Sequence, residues 1–268
     1  MESGLKDKVV LVTGAAGGIG SAIARQLTEE GAKVILHHHQ NQAGARSLQR
    51  TLGKTAWAVR ADLTREVQVK RMFTAALRKF RRVDCLVVNA ADWEKQDVPM
   101  VKMTLQQWQR TQSATATSAF LCLREFLRVV AEQRTGNAVI IGSTAAIFGE
   151  ANHADYATAK AGLAYGLTLT LKNEIARLAP TTRDYCGGRV NCVCPGWTEV
   201  PRNADKLKDS RTAARITATM PLKKVGQPSD VANAVVFFAS DRLSGHISGQ
   251  NLIVAGGMEG RVLHPPTH

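Results

Sequence analysis

The chain predicts an α/β fold, a doubly wound parallel sheet of about seven strands with helices on both faces. Three observations point there. Short apolar runs alternate with longer helical segments along the whole chain. The first run, Lys8-Val9-Val10-Leu11-Val12-Thr13, leads at once into a glycine-rich turn and a helix. The composition, 44% hydrophobic but only 5% aromatic, suits a core built from Ala, Val and Leu. At 268 residues with no Pro/Ser-rich linker, one domain over 1–268 is expected.

Strand 1 (8–13) is followed by a helix over 18–30, in which Ala22, Ile23, Ala24 and Leu27 recur before Gly31. Strand 2 (33–38) carries Val34-Ile35-Leu36 and runs into His37-His38-His39-Gln40-Asn41. A helix over 41–52, a strand over 55–60 and a helix over 65–80 follow. Strand 4 (84–88) is Cys85-Leu86-Val87-Val88 and gives way to Asn89-Ala90-Ala91. Next come a long helix over 104–133, a strand over 137–142 and a second long helix over 153–178. A strand over 188–194, a helix over 228–239 and a last strand over 251–254 complete the series. Right-handed crossovers place the strand C-termini along one edge, where a ligand crevice opens. Residues 197–222 break the rhythm and read as a long loop of the lid kind. Their Arg202, Lys206, Lys208, Arg211 and Arg215 would suit a substrate bearing phosphate or carboxylate. A tail over 259–268 is expected to reach a neighbour or fray.

The residues that carry chemistry follow the fifth strand. Tyr156 and Lys160 lie four residues apart, one helical turn, so phenol and ammonium project from one face. A phenol ionises near ~10 in water, and a fixed positive charge nearby pulls that value down. Ser143, thirteen residues upstream of Tyr156, offers a hydroxyl to polarise a carbonyl while Tyr156 moves the proton. At the other end of the chain, Gly14, Gly18 and Gly20 let backbone approach a pyrophosphate, and the helix start offers free N–H groups. Either motif alone is commonplace; together they are not.

The glycines follow the pattern T-G-x-x-x-G-x-G. With Asn89-Ala90-Ala91, Ser143, Tyr156/Lys160 and Pro195-Gly196 in this order, the chain resembles the short-chain dehydrogenase/reductase family, notably its 3-oxoacyl-[acyl-carrier-protein] reductase-like members. The resemblance implies a Rossmann-like fold and reversible hydride transfer between a nicotinamide and a ketone/secondary-alcohol pair. Ser143, Tyr156 and Lys160 would be the catalytic groups, with no metal. It places the dinucleotide on Gly14, Ala16, Gly18, Ile19 and Gly20, the adenine by Asp62 and Leu63, and the adenine ribose along Asn89, Ala90 and Ala91. Tyr156 and Lys160 would meet the nicotinamide ribose, with Pro195, Gly196 and the Thr198 backbone around the nicotinamide. Thr115 stands where the family has an asparagine that supports a water linked to the lysine; a threonine hydroxyl can hold a water too. Val200 replaces a frequent threonine.

No acidic residue ends strand 2, and His39, after His38, stands where NADP-using relatives carry arginine, so NADP(H) is favoured and NAD(H) is possible. Trp93, Ala145, Phe148, His153 and Trp197, with Glu94 and Glu150, flank the catalytic segments as a substrate pocket, and Trp93 and Trp197 are placed to sandwich an apolar or aromatic group. A 3-oxoacyl thioester is one candidate among many carbonyl compounds. The family usually pairs through its long fourth and fifth helices, so a homotetramer or dimer is expected. Apolar residues there include Phe120, Leu121, Leu123, Phe126 and Leu127, then Leu163, Leu167, Leu169 and Leu171. The rival reading is a non-catalytic nucleotide-binding sensor or scaffold.

Net charge is +13, but the basic clusters, such as Arg78-Lys79 and Arg81-Arg82, come with no nucleic-acid motif and read as solvated faces. No apolar run has membrane-spanning length, and Met1–Lys6 lacks a signal-peptide core, so a cytoplasmic enzyme is expected. Of five cysteines, Cys192 and Cys194 share one strand face as buried hydrophobes; their Cys-x-Cys has no second pair to make a metal site.

Overall fold

Runs of aliphatic residues form the strands of a computed structural model that describes residues 2–259. They are β1 (Val9–Val12), β2 (Lys33–His38), β3 (Ala56–Arg60), β4 (Cys85–Val88), β5 (Asn137–Ile141), β6 (Arg189–Pro195) and β7 (Asn251–Val254). Every position of β1, β4, β5 and β6 is buried, as expected of strands covered on both faces. The strands pair in parallel in the order β3-β2-β1-β4-β5-β6-β7. This is a Rossmann-like sheet, and its order reverses between β1 and β4, which opens the crevice at their C-terminal ends.

The helices are α1 (Gly18–Glu29), α2 (Gln42–Leu52), α3 (Glu66–Phe80), α4 (Leu105–Gln112), α5 (Ser118–Gln133), α6 (Ala145–Phe148), α7 (Ala154–Ala161), α8 (Thr168–Leu178), α9 (Ala204–Lys208), α10 (Ser210–Thr217), α11 (Pro228–Ala239) and α12 (Asp241–Ser244). Strand alternation divides the core in two. Leu11, Ile35, Leu86 and Ile140 face Phe73, Phe126 and Ile175 on one side of the sheet. Val10, Val34, Val87 and Val139 face Ile23, Leu27, Val231 and Val235 on the other, where α1 packs on α11.

The strands and long helices fall where the sequence places them; the short helices α6 and α12 were not expected, and two further differences stand out. Each long helix is interrupted by a π-helical turn, Ser113–Thr117 between α4 and α5 and Gly162–Leu167 between α7 and α8. A π turn inserts a residue without disturbing apolar periodicity enough to be read from sequence; here hydroxyls mark both, Ser118 Oγ donating to Ala114 O at 2.7 Å and Thr168 Oγ1 to Leu163 O at 2.8 Å. The segment 197–222, expected as loop, contains α9 and α10, and Asp209 caps α10 by accepting from Thr212 N at 3.0 Å. Cys192 and Cys194 are buried on one face with their Sγ atoms 3.6 Å apart, and all five cysteines are free. The expected tail lies outside the described residues except for Glu259.

Candidate active site

The crevice begins at the turn after β1. Gly14 has φ +64°, which a side chain would strain. At Gly20 a Cβ would land on the Gly14 carbonyl oxygen, so only glycine lets α1 start this close to the turn. Thr13 Oγ1 accepts from Asn89 N at 2.8 Å and Ala90 N at 3.0 Å, and Asn89 Nδ2 returns a bond to Thr13 O at 2.9 Å. Thus the ends of β1 and β4 are stitched together at the switch point. The first turn of α1 has no side-chain cap and no acidic residue, so its N–H groups and dipole favour an anion.

Two residues outside the sequence-derived site complete this corner. His37 accepts from Gly14 N through Nδ1 at 3.0 Å, and its Nε2 bonds Ala61 O at 3.0 Å. The ring is buried, which pushes its pKa down to about 4, and a neutral imidazole is what both bonds require. Asn41 caps α2 at Gly44 N, 3.0 Å, and donates to Ala16 O at 3.1 Å. None of these bonds is signalled in the sequence, because the partners Gly14, Ala61 and Ala16 come from other segments. His39 is exposed near Asp62, whereas His38, the last residue of β2, is buried, its Nδ1 without a partner among the described residues. Burial works to raise the Asp62 carboxyl, but bonds from Thr64, with His39 nearby, hold it below the usual range. Leu63 is buried, while Ile19, Ala90 and Ala91 are half-buried at the crevice.

Ser143 follows β5, and its Oγ accepts from Ala145 N at 3.1 Å, which leaves its proton for another acceptor. Tyr156 and Lys160 stand on α7 and are both buried. Lys160 Nζ donates to Ile141 O at 2.6 Å and lies 5.8 Å from the centre of the Tyr156 ring. The expectation that Lys160 makes the phenol acidic is corrected here. Burial dominates, pushing Tyr156 up to about 12; Ser143 and Arg202 pull it down, and Glu150 pushes it up. Burial likewise pushes Lys160 down to about 8. The sequence shows spacing; it does not show how far desolvation outweighs a neighbour.

Asp155, absent from the sequence-derived site, anchors this helix. Its carboxylate is fully buried and accepts from Thr111 Oγ1 at 2.7 Å, Gln107 Nε2 at 3.3 Å and Tyr156 N at 2.9 Å, so it ties the start of α7 to α4. Thr115 is buried in the π turn, and its Oγ1 donates to Asp92 O at 3.1 Å.

The substrate side is organised by the loop after β4. Its acidic residues each hold a different element: Glu94 pairs with Arg110 of α4 at 2.7 Å, and Asp97 meets His153 at 3.2 Å and Lys206 at 3.7 Å. Asp92 pairs with Arg202 at 3.1 Å. Lys208 pairs with Asp205 at 3.1 Å. Three of the five basic residues read as a substrate-binding lid are therefore matched inside the chain; Arg211 and Arg215 have no ion-pair partner among the described residues. The Trp93 ring centre lies 4.5 Å from that of Tyr156 and 3.7 Å from the Arg202 guanidinium. Trp93, expected to sandwich a ligand with Trp197, is thus packed against Tyr156 and Arg202 of its own chain. His153 caps α7 and is buried, Ala145 is buried in α6, Trp197 is half-buried and Phe148 is exposed. At the end of β6, Gly196 N donates to Val254 O at 3.0 Å, Thr144 N to Pro195 O at 2.9 Å, and Thr198 Oγ1 to Gly196 O at 3.1 Å. Val200 then lies over Gly18, where a Cβ would meet its Cγ1 at 2.6 Å.

Residues 14–259 match the family described as enoyl-(acyl carrier protein) reductase. The chain is 33% identical to a 3-oxoacyl-[acyl-carrier-protein] reductase of Synechocystis, over 95% of this chain and 98% of that one. It is 34% identical to 3beta-hydroxysteroid dehydrogenase 1 of Eggerthella lenta, over 96% of each, and 34% identical to L-rhamnose 1-dehydrogenase (NAD(P)(+)) of Azotobacter vinelandii, over 95% and 97%. The chain belongs to the short-chain dehydrogenase/reductase family. It is an NAD(P)(H)-dependent oxidoreductase that interconverts carbonyl and alcohol groups. The bare N-terminus of α1 and the tight glycine turn that Gly14 and Gly20 allow fit a dinucleotide. Among the described residues there is no cluster fit to hold a metal ion and no helix long and apolar enough to cross a membrane.

Proposed function

We propose that this enzyme is a carbonyl reductase that takes NADP(H) in preference to NAD(H), with Tyr156 as proton donor, Ser143 as carbonyl-polarising group and Lys160 as proton supplier. The observation that carries the reading is the convergence of Ser143, Tyr156 and Lys160 at the crevice edge, with the phenol buried and held protonated. When bound, the nicotinamide supplies the hydride. The chain's own residues do the rest. Ser143 Oγ, already accepting from Ala145 N, turns its proton to the substrate oxygen and stabilises the charge that grows there. Tyr156 gives its proton to the same oxygen, and Lys160, whose pKa burial lowers to about 8, passes one on to the phenolate. In oxidation the same groups act in reverse.

Gly14, Ala16, Gly18, Ile19 and Gly20 would hold the pyrophosphate, and Asp62, Leu63 and Asn89 to Ala91 the adenosine side. Tyr156 and Lys160 would meet the nicotinamide ribose, and Pro195, Gly196 and Thr198 the nicotinamide. NADP(H) is supported by the lack of an acid at the end of β2 and by exposed His39. A 3-oxoacyl thioester is the first substrate to test, since similar proteins carry that activity in their names. The free cysteines suit the cytoplasm. Most apolar residues expected to pair subunits lie in the chain's own core, but Phe120, Tyr165 and Leu169 remain exposed and support a homodimer or tetramer through α5 and α8. The deciding experiment is reduction of acetoacetyl thioester and a panel of simple ketones with each cofactor, comparing the parent enzyme with Tyr156→Phe. Loss of turnover by about 10³-fold with cofactor affinity retained is expected. A Tyr156→Phe enzyme of parental activity would refute the assignment.

A further inference from the structure

We propose that Thr115 and Arg202 are a pair of positioning residues that seat the Trp93 indole against the ring of Tyr156. The inference deepens the catalytic reading, because it rests on Tyr156 as the proton donor. Trp93 lies in a segment without regular structure, where an indole is free to swing unless its backbone is fixed. Here the two carbonyls on either side of its N–Cα–C unit are both gripped. Thr115 Oγ1, fully buried in the π turn, donates to Asp92 O at 3.1 Å. Arg202 Nη2 donates to Trp93 O at 2.9 Å and to Asp92 Oδ1 at 3.1 Å. The same guanidinium lies 3.7 Å from the indole centre, and the Tyr156 ring centre lies 4.5 Å from it. Stacking while donating to two oxygens needs a planar fork, which arginine has and lysine lacks.

The π turn supplies one half of this arrangement and the lid-side segment the other. Here the short Thr115 hydroxyl holds the wall of the site. Seated, Trp93 shields one side of the phenol from water, and Arg202 brings a cation to bear on the phenol, opposing the effect of burial. The wall beside the reacting hydroxyl is thus set jointly by the π turn and by the segment that closes over it.

The test reads Trp93 itself. In a protein with Trp57, Trp108 and Trp197 replaced by phenylalanine, Trp93 is the sole indole, and acrylamide quenching of its fluorescence reports exposure. Thr115→Val and Arg202→Gln should each raise quenching, the open fraction growing about fivefold for one lost hydrogen bond. Thr115→Ser, which keeps the hydroxyl, should quench like the parent, whereas Arg202→Lys should behave like Arg202→Gln. Parental quenching in Arg202→Gln, or a Thr115→Ser protein as exposed as Thr115→Val, overturns the proposal. Arg202 lies near the surface, so its variants carry the test if Thr115→Val does not fold. Quenching needs no turnover; its failure would leave the oxidoreductase assignment standing, and failure of the Tyr156→Phe experiment would leave the seating of Trp93 intact.

Discussion

The two sides of the crevice are built by different means. The nucleotide side presents backbone, a glycine turn and a bare helix start, held in place by a few short side chains such as Thr13, whose Oγ1 accepts from Asn89 N and Ala90 N. The substrate side is made of side chains, with Asp92, Glu94 and Asp97 each reaching a different element. Backbone construction tolerates few residue types and so leaves a fixed signature. Side-chain construction can be achieved in many ways, and here Thr115, Trp93 and Arg202 build that wall.

The comparison is broken most severely at Gly20. An added methyl group has no room against the Gly14 carbonyl or the Asn89 side chain, and the turn must shift. Gly20→Ala should weaken dinucleotide binding by about 100-fold, measured by titration of cofactor fluorescence, since an overpacking cost of a few kcal/mol converts to that factor. Unchanged affinity would mean that the turn is not what holds the pyrophosphate.

This difference also explains what could be read from the residues alone. The strands and their parallel pairing were legible because buried aliphatic runs and a T-G-x-x-x-G-x-G turn admit few alternatives, and Tyr156 and Lys160 stand out by helical spacing once that turn accompanies them. His37 was not legible: its role depends on Gly14 N and Ala61 O arriving from two other segments. Asp155 was missed for the same reason, since its partners Thr111 and Gln107 are on another helix. The lid charges were read as substrate ligands because sequence gives the cations of 202–208 but not that Asp92, Asp97 and Asp205 meet them.

Lys160 sharpens the contrast, because function there opposes stability. Burial lowers its pKa from 10.5 to about 8, so below pH 8 the folded protein holds a charge in a place that disfavours it. The unfolded chain binds the extra proton between about 8 and 10.5, so this cost shrinks as pH rises through that window. Lys160→Met should be inactive yet more stable at pH 7, by up to about 3 kcal/mol less the bond lost at Ile141 O. Denaturant unfolding of both proteins should show the gap closing between pH 8 and 10. A gap that widens with pH would show that the ammonium is stabilised, not strained, by its surroundings.

The smallest expected effect separates the two cofactors at the outer corner of the nucleotide side. His39 is exposed near Asp62, and Asn41 ties the start of α2 to the glycine turn, so the corner is rigid and lacks a carboxylate at the end of β2. His39→Asp places a negative charge where a 2′-phosphate would lie. In a solvated corner, a new repulsion of about 1.4 kcal/mol corresponds to a tenfold change. The ratio of NADP(H) to NAD(H) affinity should fall by about that factor, with kcat at saturating cofactor nearly unchanged, because the substitution is far from Ser143 and Tyr156 in the chain's architecture. The effect should shrink with added salt, as befits an exposed pair of charges. A parent enzyme that already binds NAD(H) more tightly would remove the NADP(H) preference and place the discriminating contact elsewhere, with Asp62 the nearest carboxylate to consider.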